Sequence, residues 1–185
     1  WNKISREACS HGTERHEFAE SIFYFMTNQF DKILPAFTDR LSVDKETNEP
    51  IFIANDPKEE AAVTFYEELP DSLFPILAET KVYNEKLGYS GTFDLLMYYD
   101  ATIDGKDDKN SGLCVMDWKT NKDLYKNFKE EKLLAPFQDL LDMPLSIYKL
   151  QLSLYQICLE KIGLKTIARR IMWLLPNGTY DKIPL

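Results

Sequence analysis

One apolar stretch, GLCVMDWK at residues 112–119, constrains the fold more than any other part of the chain. Its apolar residues are typical of a strand inside a sheet, yet Asp117 and Lys119 stand in it two positions apart. Residues i and i+2 of a strand point to the same face of the sheet. The sequence therefore predicts a carboxylate beside an ammonium at the edge of the core, where unpaired charge is costly.

A second strand-like run, GTFDLLMYY at residues 91–99, precedes this stretch and carries Asp94. The polar segment 104–112 between the two runs is typical of a hairpin tip. If the two runs pair, Asp94 lies across from Asp117 on one face. Two close carboxylates repel each other, and a cation between them relieves the repulsion. Oxygen ligands of this kind suit Mg²⁺ or Mn²⁺, and a neighbouring lysine can orient or deprotonate water.

The remaining segments predict three helices and further strands. Thr13 is the expected N-cap of the first helix, Pro57 begins the second, and the third runs from residue 146 to about Gly163. Residues 38–57 are expected to be an exposed connection, and PNG at 176–178 a type I′ turn of a closing hairpin. The order αα-βββ-α-ββ predicts an α/β domain with a central mixed sheet flanked by helices.

Composition indicates a single globular domain. Hydrophobic residues make up 44% of the 185 residues and aromatic residues 13%, so we expect residues 1–185 to bury one core. The start at Trp1 leaves open that residues precede it. We expect no membrane association, since no run of 18 apolar residues and no secretory signal is visible. The net charge of −8 counts against a general nucleic-acid binder. Three scattered cysteines indicate reduced thiols in the cytoplasm: Cys9, Cys114 and Cys158.

Five short motifs, in order along the chain, resemble one known group of proteins. GTFD at 91–94 followed by MDWK at 116–119 resembles the split G-x-x-D…(D/E)-x-K signature of the PD-(D/E)XK nuclease superfamily. GTERH at 12–16 and QLSLY at 151–155 resemble the G-x-x-x-H and Q-x-x-x-Y helices of RecB-type nucleases. AETKVY at 78–83 matches the strand that carries a glutamate. The four-cysteine cluster of some relatives is absent from the sequence, so no iron–sulfur cluster is implied.

The resemblance implies a restriction-endonuclease-like core and a role for each motif residue. It implies that four groups bind Mg²⁺ or Mn²⁺: His16, Asp94, Asp117 and the backbone carbonyl of Trp118. The catalytic set would be Glu79, Asp94, Asp117 and Lys119, with Lys119 activating or positioning the water. Gln151 and Tyr155 would position the substrate strand, with bases stacking on aromatic rings such as that of Tyr155. Because His16 is expected one turn into a helix, the helix N-terminus would disfavour its protonation and leave a neutral imidazole.

Structural roles stay open for several of these residues. Asp117 and Lys119 can form a purely structural ion pair, although buried pairs are rarely net stabilising. Glu79 can equally pair with a lysine at the sheet edge. Core packing accounts for Tyr155, whereas Gln151 among leucines needs a polar partner.

The activity that the resemblance implies is a metal-dependent DNA exonuclease, RecB-like, that leaves 5′-phosphates during recombination, repair or phage DNA processing. Its expected substrate is a DNA end, single-stranded ends included. A recombination or single-strand-binding protein is the candidate partner, the cytoplasm of a bacterial or phage-infected cell is the expected location, and the oligomeric state stays open. Two alternatives remain: a structure- or site-specific endonuclease of the same fold, and a non-catalytic DNA-binding relative. Relatives of the latter kind tend to lose the aspartate or the lysine, and this chain keeps both.

Overall fold

The computed structural model describes residues 2–127 and 129–185, with side chains from residue 10 onward. Its helices are α1 (Asn2–Met26), α2 (Pro57–Glu67) and α3 (Pro144–Lys161). Its strands are β1 (Leu41–Val43), β2 (Pro50–Phe52), β3 (Leu73–Asn84), β4 (Tyr89–Tyr99), β5 (Gly112–Lys119), β6 (Thr166–Leu174) and β7 (Tyr180–Pro184). None of the described helices has the length and apolarity needed to cross a membrane.

Strands β3 to β7 form one five-stranded sheet in the order β3-β4-β5-β6-β7. Neighbours in it are antiparallel except β5 and β6, which are parallel and therefore need a long crossover. The crossover contains α3. The predicted α/β class, with a central mixed sheet flanked by helices, is confirmed. The predicted pairing of the two strands that carry Asp94 and Asp117 is confirmed as well.

The two faces of the sheet bury two hydrophobic clusters. Helices α1 and α2 cover one face, where Phe18 and Phe65 pack with Trp118. Helix α3 covers the other face, where Leu152 packs in the same cluster as Val115. Successive residues of β5 therefore point into alternate clusters, and both faces of this central strand are buried. This burial explains why the sequence of β5 is apolar almost throughout.

The start of α1 differs from the expectation. The helix begins at Asn2 and continues through Gly12 and Thr13, so Thr13 is not its N-cap. The residues before Gly12 include good helix formers such as Ala, Arg, Glu and Lys. An internal glycine costs only about 1 kcal/mol relative to alanine, and a helix tolerates it. In contrast, α2 begins where predicted, because Asp56 caps the backbone N–H groups of Lys58 and Glu59.

Two connections also differ from the expectation. Residues 38–57 are not a plain exposed connection, because they contain the hairpin β1–β2. In the turn between β6 and β7, Gly178 has a positive φ of 82° and Asn177 does not. A type I′ turn needs a positive φ at both central residues, so the predicted turn type is wrong. Pro176, whose ring fixes φ near −65°, leads the chain into the turn instead.

Packing between α3 and β4 depends on Gly91. A Cβ atom at residue 91 would lie 2.6 Å from the Oη atom of Tyr155 and 2.8 Å from its Cζ atom. Such contacts are too short for any real side chain, so Gly91 is what lets the buried Tyr155 ring lie against the strand.

We predict that Gly91→Ala lowers the free energy of unfolding by about 1 to 3 kcal/mol, the usual range for overpacking a tight contact. Urea unfolding followed by circular dichroism measures the change. The matched control is Gly12→Ala, whose new Cβ would meet Thr120 Oγ1 at an ordinary 3.5 Å and whose position is inside a helix. That variant should be as stable as the parent or up to about 1 kcal/mol more stable. Equal stability of the two variants would contradict the packing role.

Candidate metal centre

Three side chains with metal-ligand chemistry meet near the end of the sheet where β5 finishes. His16 comes from α1, Glu79 from β3 and Asp94 from β4. One ligand atom of each lies within 4.8 Å of those of the other two. All three line a cavity of about 400 Å³ together with other residues of α1. Because three separate elements supply them, the cluster is a product of the tertiary fold.

Asp94 is the centre of the hydrogen bonding in this cluster. Its Oδ2 atom lies 3.1 Å from His16 Nδ1 and accepts the backbone N–H of Trp118 at 2.7 Å. Burial acts to raise the pKa of Asp94, but the hydrogen bond and charge of His16 and the charge of Lys119 outweigh it. The net pKa lies below the usual range for an aspartate, so Asp94 is ionised at neutral pH.

Glu79 occupies a strained position. Its φ of +44° is left-handed, a conformation that costs a residue other than glycine about 1 to 3 kcal/mol. The pairs Ala78–Leu95 and Thr80–Phe93 place it directly across from Asp94. Burial, followed by the charges of Asp94 and Glu20, raises the pKa of Glu79 to about 7. Among the described residues, no hydrogen bond or ion pair compensates the Glu79 carboxylate, so the alternative of a sheet-edge pair with a lysine has no support.

Asp117 and Lys119 form the ion pair that their spacing predicts. The Asp117 side chain is only 2% exposed, and its Oδ2 atom contacts the ammonium of Lys119. No other group of the described residues donates to that buried oxygen. Burial and the charge of Asp94 raise the pKa of Asp117 to about 7, although Lys119 acts in the opposite direction. The ammonium of Lys119 also lies 4.5 Å from the centre of the Tyr148 ring on α3.

The predicted metal-ligand set and the observed cluster overlap only in part. His16 and Asp94 are in both, but Glu79 completes the cluster where the resemblance placed Asp117. Asp117 lies beside the cluster, with Lys119 as its partner. The Trp118 side chain is buried in the core, and the backbone N–H of Trp118 donates to Asp94. A ligand role for the backbone carbonyl of Trp118 stays a prediction. The alternation of residues along a strand does not predict that Glu79 lies among the ligands. A residue with a left-handed backbone conformation cannot be recognised from that alternation.

The expected position of His16 near the start of its helix, and the lowered pKa that follows from it, are wrong. His16 lies well inside α1 and not in its first turn, so the helix N-terminus does not act on it. Burial lowers the pKa of His16, but the hydrogen bond and charge of Asp94 raise it more, and the net shift is upward. A cation at this site therefore has to compete with a proton for the imidazole.

The cavity holds further residues that sequence reasoning did not single out. Glu17 and Glu20 of α1 line it with His16. Glu20 accepts a hydrogen bond from the hydroxyl of Tyr24 at 2.9 Å. Burial is the main reason that the pKa of Glu20 is raised. The only sequence signal for Glu20 is its position four residues after His16, which puts both on one face of the helix.

Gln151 and Tyr155 lie on α3 and do not line this cavity. The Nε2 atom of Gln151 donates to the hydroxyl of Tyr155 at 2.7 Å, which supplies the polar partner that Gln151 needs. Tyr155 is only 5% exposed and lies against Gly91. The ring thus has a packing role. Gln151 and Tyr155 also line a separate cavity of about 840 Å³, and their contact with a substrate strand stays a prediction.

No model of a known protein family matches this chain, and no curated protein matches it either. The functional conclusion therefore depends on the contacts described above and on the motif resemblance.

We predict that Mn²⁺ binds about 10-fold or more tightly at pH 8 than at pH 6. A cation needs deprotonated ligands, and Glu79, whose pKa is about 7, holds a proton at the lower pH. Isothermal titration calorimetry in two buffers of different ionisation enthalpy measures both the affinity and the protons released. Glu79→Gln should bind Mn²⁺ more weakly and lose the part of the pH dependence that Glu79 contributes, while the part from His16 remains. An affinity for Mn²⁺ that is the same at both pH values would contradict the ligand role of Glu79.

Proposed function

We propose that the protein is a metal-dependent DNA exonuclease with a restriction-endonuclease-like core, which hydrolyses phosphodiester bonds to leave 5′-phosphates. One observation carries the proposal: the His16–Glu79–Asp94 cluster lies next to the buried Asp117–Lys119 pair. Five of the motif residues thus lie close together and come from four elements: His16, Glu79, Asp94, Asp117 and Lys119. A sheet with antiparallel β3–β4–β5 and a parallel β5–β6 pair agrees with the proposed core.

The residues present fit a divalent cation. The donor set is one imidazole and two carboxylates, which suits Mn²⁺ and also Mg²⁺. Glu79 and Asp94 repel each other without a cation, and the buried Oδ2 of Asp117 has only Lys119 beside it. We infer that His16, Glu79 and Asp94 hold the cation, with Asp117 adjacent. When bound, it supplies Lewis-acid polarisation of a phosphoryl oxygen and favours deprotonation of water.

Lys119 has the position of a positively charged orienting group. Burial lowers its pKa, but the charges of Asp117 and Asp94 raise it more, so Lys119 is protonated at neutral pH. Its ammonium is held between Asp117 and the Tyr148 ring. We infer that the positive charge of Lys119 orients the attacking water and the scissile phosphate. Because a protonated lysine cannot abstract a proton, we favour this positioning role. A positive charge of this kind stabilises the negative charge that develops on phosphoryl oxygens in phosphoryl transfer.

The charge of the cavity supports cleavage at DNA ends. Glu17 and Glu20 line its wall, and the net charge of the chain is −8. These charges repel phosphates and make binding to duplex interiors weak. We propose that a single DNA end reaches the site, and that a recombination or single-strand-binding protein delivers it. The cytoplasm of a bacterial or phage-infected cell is the proposed location.

We predict that Lys119→Ala reduces cleavage of linear DNA at least 100-fold, because it removes the charge that orients the water. Mn²⁺ affinity should stay equal or increase, since a nearby positive charge is lost and no ligand is removed. A fluorescence assay on labelled DNA measures the first effect and calorimetry the second. Lys122→Ala, at an exposed lysine of the same segment, is the matched control and should cleave normally. Thermal unfolding verifies that the Lys119 variant is folded, and near-normal cleavage by it would refute the assigned role.

We predict that cleavage requires a DNA end. With Mg²⁺ or Mn²⁺ present, linear DNA should be shortened progressively to short oligonucleotides with 5′-phosphates, whereas covalently closed circles of the same sequence should persist. Gel electrophoresis and end-labelling measure both. If circles are cut as fast as linear DNA, the endonuclease alternative replaces this proposal. If DNA is bound and no form is cut, the non-catalytic relative replaces it.

A further inference from the structure

Arg170 is a cation without a partner on the core-facing side of β6. Strand neighbours Ala168 and Met172, which share its face, pack in the cluster under α1 and α2. The Arg170 side chain is half-buried, and within the described part of the chain it makes no hydrogen bond or ion pair. Its sequence neighbour Arg169, on the opposite face, donates to the hydroxyl of Ser153. A guanidinium carries five N–H donors, so those of Arg170 are free to donate to water or to an acceptor from outside the protein.

Arg170 lines a cavity of about 450 Å³ on this side of the sheet. The cavity also contains the side chains of Tyr99, Asp104 and Lys106. The ammonium of Lys106 lies 2.7 Å from the Tyr99 hydroxyl and 3.3 Å from the Asp104 carboxylate, and the Tyr99 hydroxyl donates to Asp104 at 2.6 Å. Lys106 thus balances the only carboxylate that lines this cavity among the described residues. The charge of Arg170 is left over, so the cavity is net positive in an acidic protein.

We propose that this cavity binds a small organic phosphate, with the phosphate on Arg170 and Lys106. A guanidinium presents paired N–H donors that match phosphate oxygens, and an ammonium adds a second charge. The volume lies in the range of small-molecule sites, and the remaining wall includes the apolar side chains of Pro70, Leu73 and Ile167. A phosphate monoester that carries a compact organic group, such as a nucleoside monophosphate, fits this division into a charged and an apolar part.

The proposed phosphate site is separate from the candidate metal centre. Cys114 of β5 lines the cavity, and Asp117 lies three residues further along the strand, a rise of about 10 Å. Different residues line the two cavities. The inference therefore does not rest on the proposed nuclease activity, and its test omits divalent cations.

The experiment titrates thymidine 5′-phosphate into the protein in buffer with EDTA, which removes any cation from the metal centre. Isothermal titration calorimetry measures the affinity, and the shift of the unfolding temperature gives a second readout. Thymidine is the control that lacks the phosphate, and inorganic phosphate is the control that lacks the organic group. Arg170→Met removes the proposed anchor, Lys106→Met removes the second cation, and Arg169→Met is the matched arginine on the opposite face.

We expect thymidine 5′-phosphate to bind, inorganic phosphate to bind more weakly, and thymidine not to bind. Arg170→Met should weaken the binding of thymidine 5′-phosphate at least 10-fold and Lys106→Met about 3- to 10-fold, whereas Arg169→Met should leave it unchanged. The Arg170 variant should unfold at the parent's temperature or higher without ligand, because a guanidinium without acceptors is removed. Three results would each overturn the proposal: no binding to the parent protein, equal binding of thymidine, or parent-like affinity in both the Arg170 and Lys106 variants.

Discussion

The candidate metal centre depends on the buried ion pair between Asp117 and Lys119 at the end of β5. Both charges leave water there, and the cost of that desolvation usually exceeds the attraction gained. The pair nevertheless sets the charges around it, because the ammonium of Lys119 helps to keep Asp94 ionised. Asp94 in turn holds His16 and the N–H of Trp118. This arrangement of charges costs stability, which is common at functional sites, although structural ion pairs also shift the pKa values of their members.

A second unfavourable feature lies at the same place. Glu79 combines a left-handed backbone with a carboxylate that faces Asp94, and neither feature improves packing. Strain of this kind persists only where the surrounding structure determines it. Two clusters supply that support: α1 and α2 pack on one face of the sheet and α3 on the other. The packed layers therefore hold in place an arrangement of acids that is unfavourable in itself, and the proposed cation would relieve their repulsion.

Sequence alone predicts the parts of this architecture that obey a local rule. Period-2 alternation in β4 and β5 predicts their pairing and brings Asp94 close to Asp117, and Pro57 marks the start of α2. The predictions that the structure does not support fail because tertiary structure overrides the local rule. Thr13 is a good capping residue that lies inside a helix, where neighbours that favour helix override it. The ligand position of Glu79 depends on one backbone angle that only the assembled sheet determines.

The same distinction applies to charge. The net charge of −8 is a sum over the whole sequence and does not tell where the individual cations lie in the fold. Lys119 lies at the end of β5 and Arg170 in the middle of the neighbouring parallel strand β6, and both are at least half-buried. Lys119 contacts the buried Asp117, and Arg170 lines a cavity. At the candidate metal centre the acidic walls repel phosphate, so the proposed cation would be needed to admit the proposed substrate before it assists any chemistry. At the Arg170 cavity the only carboxylate among the described lining residues already contacts Lys106, so the proposed anion would need no cation to bind.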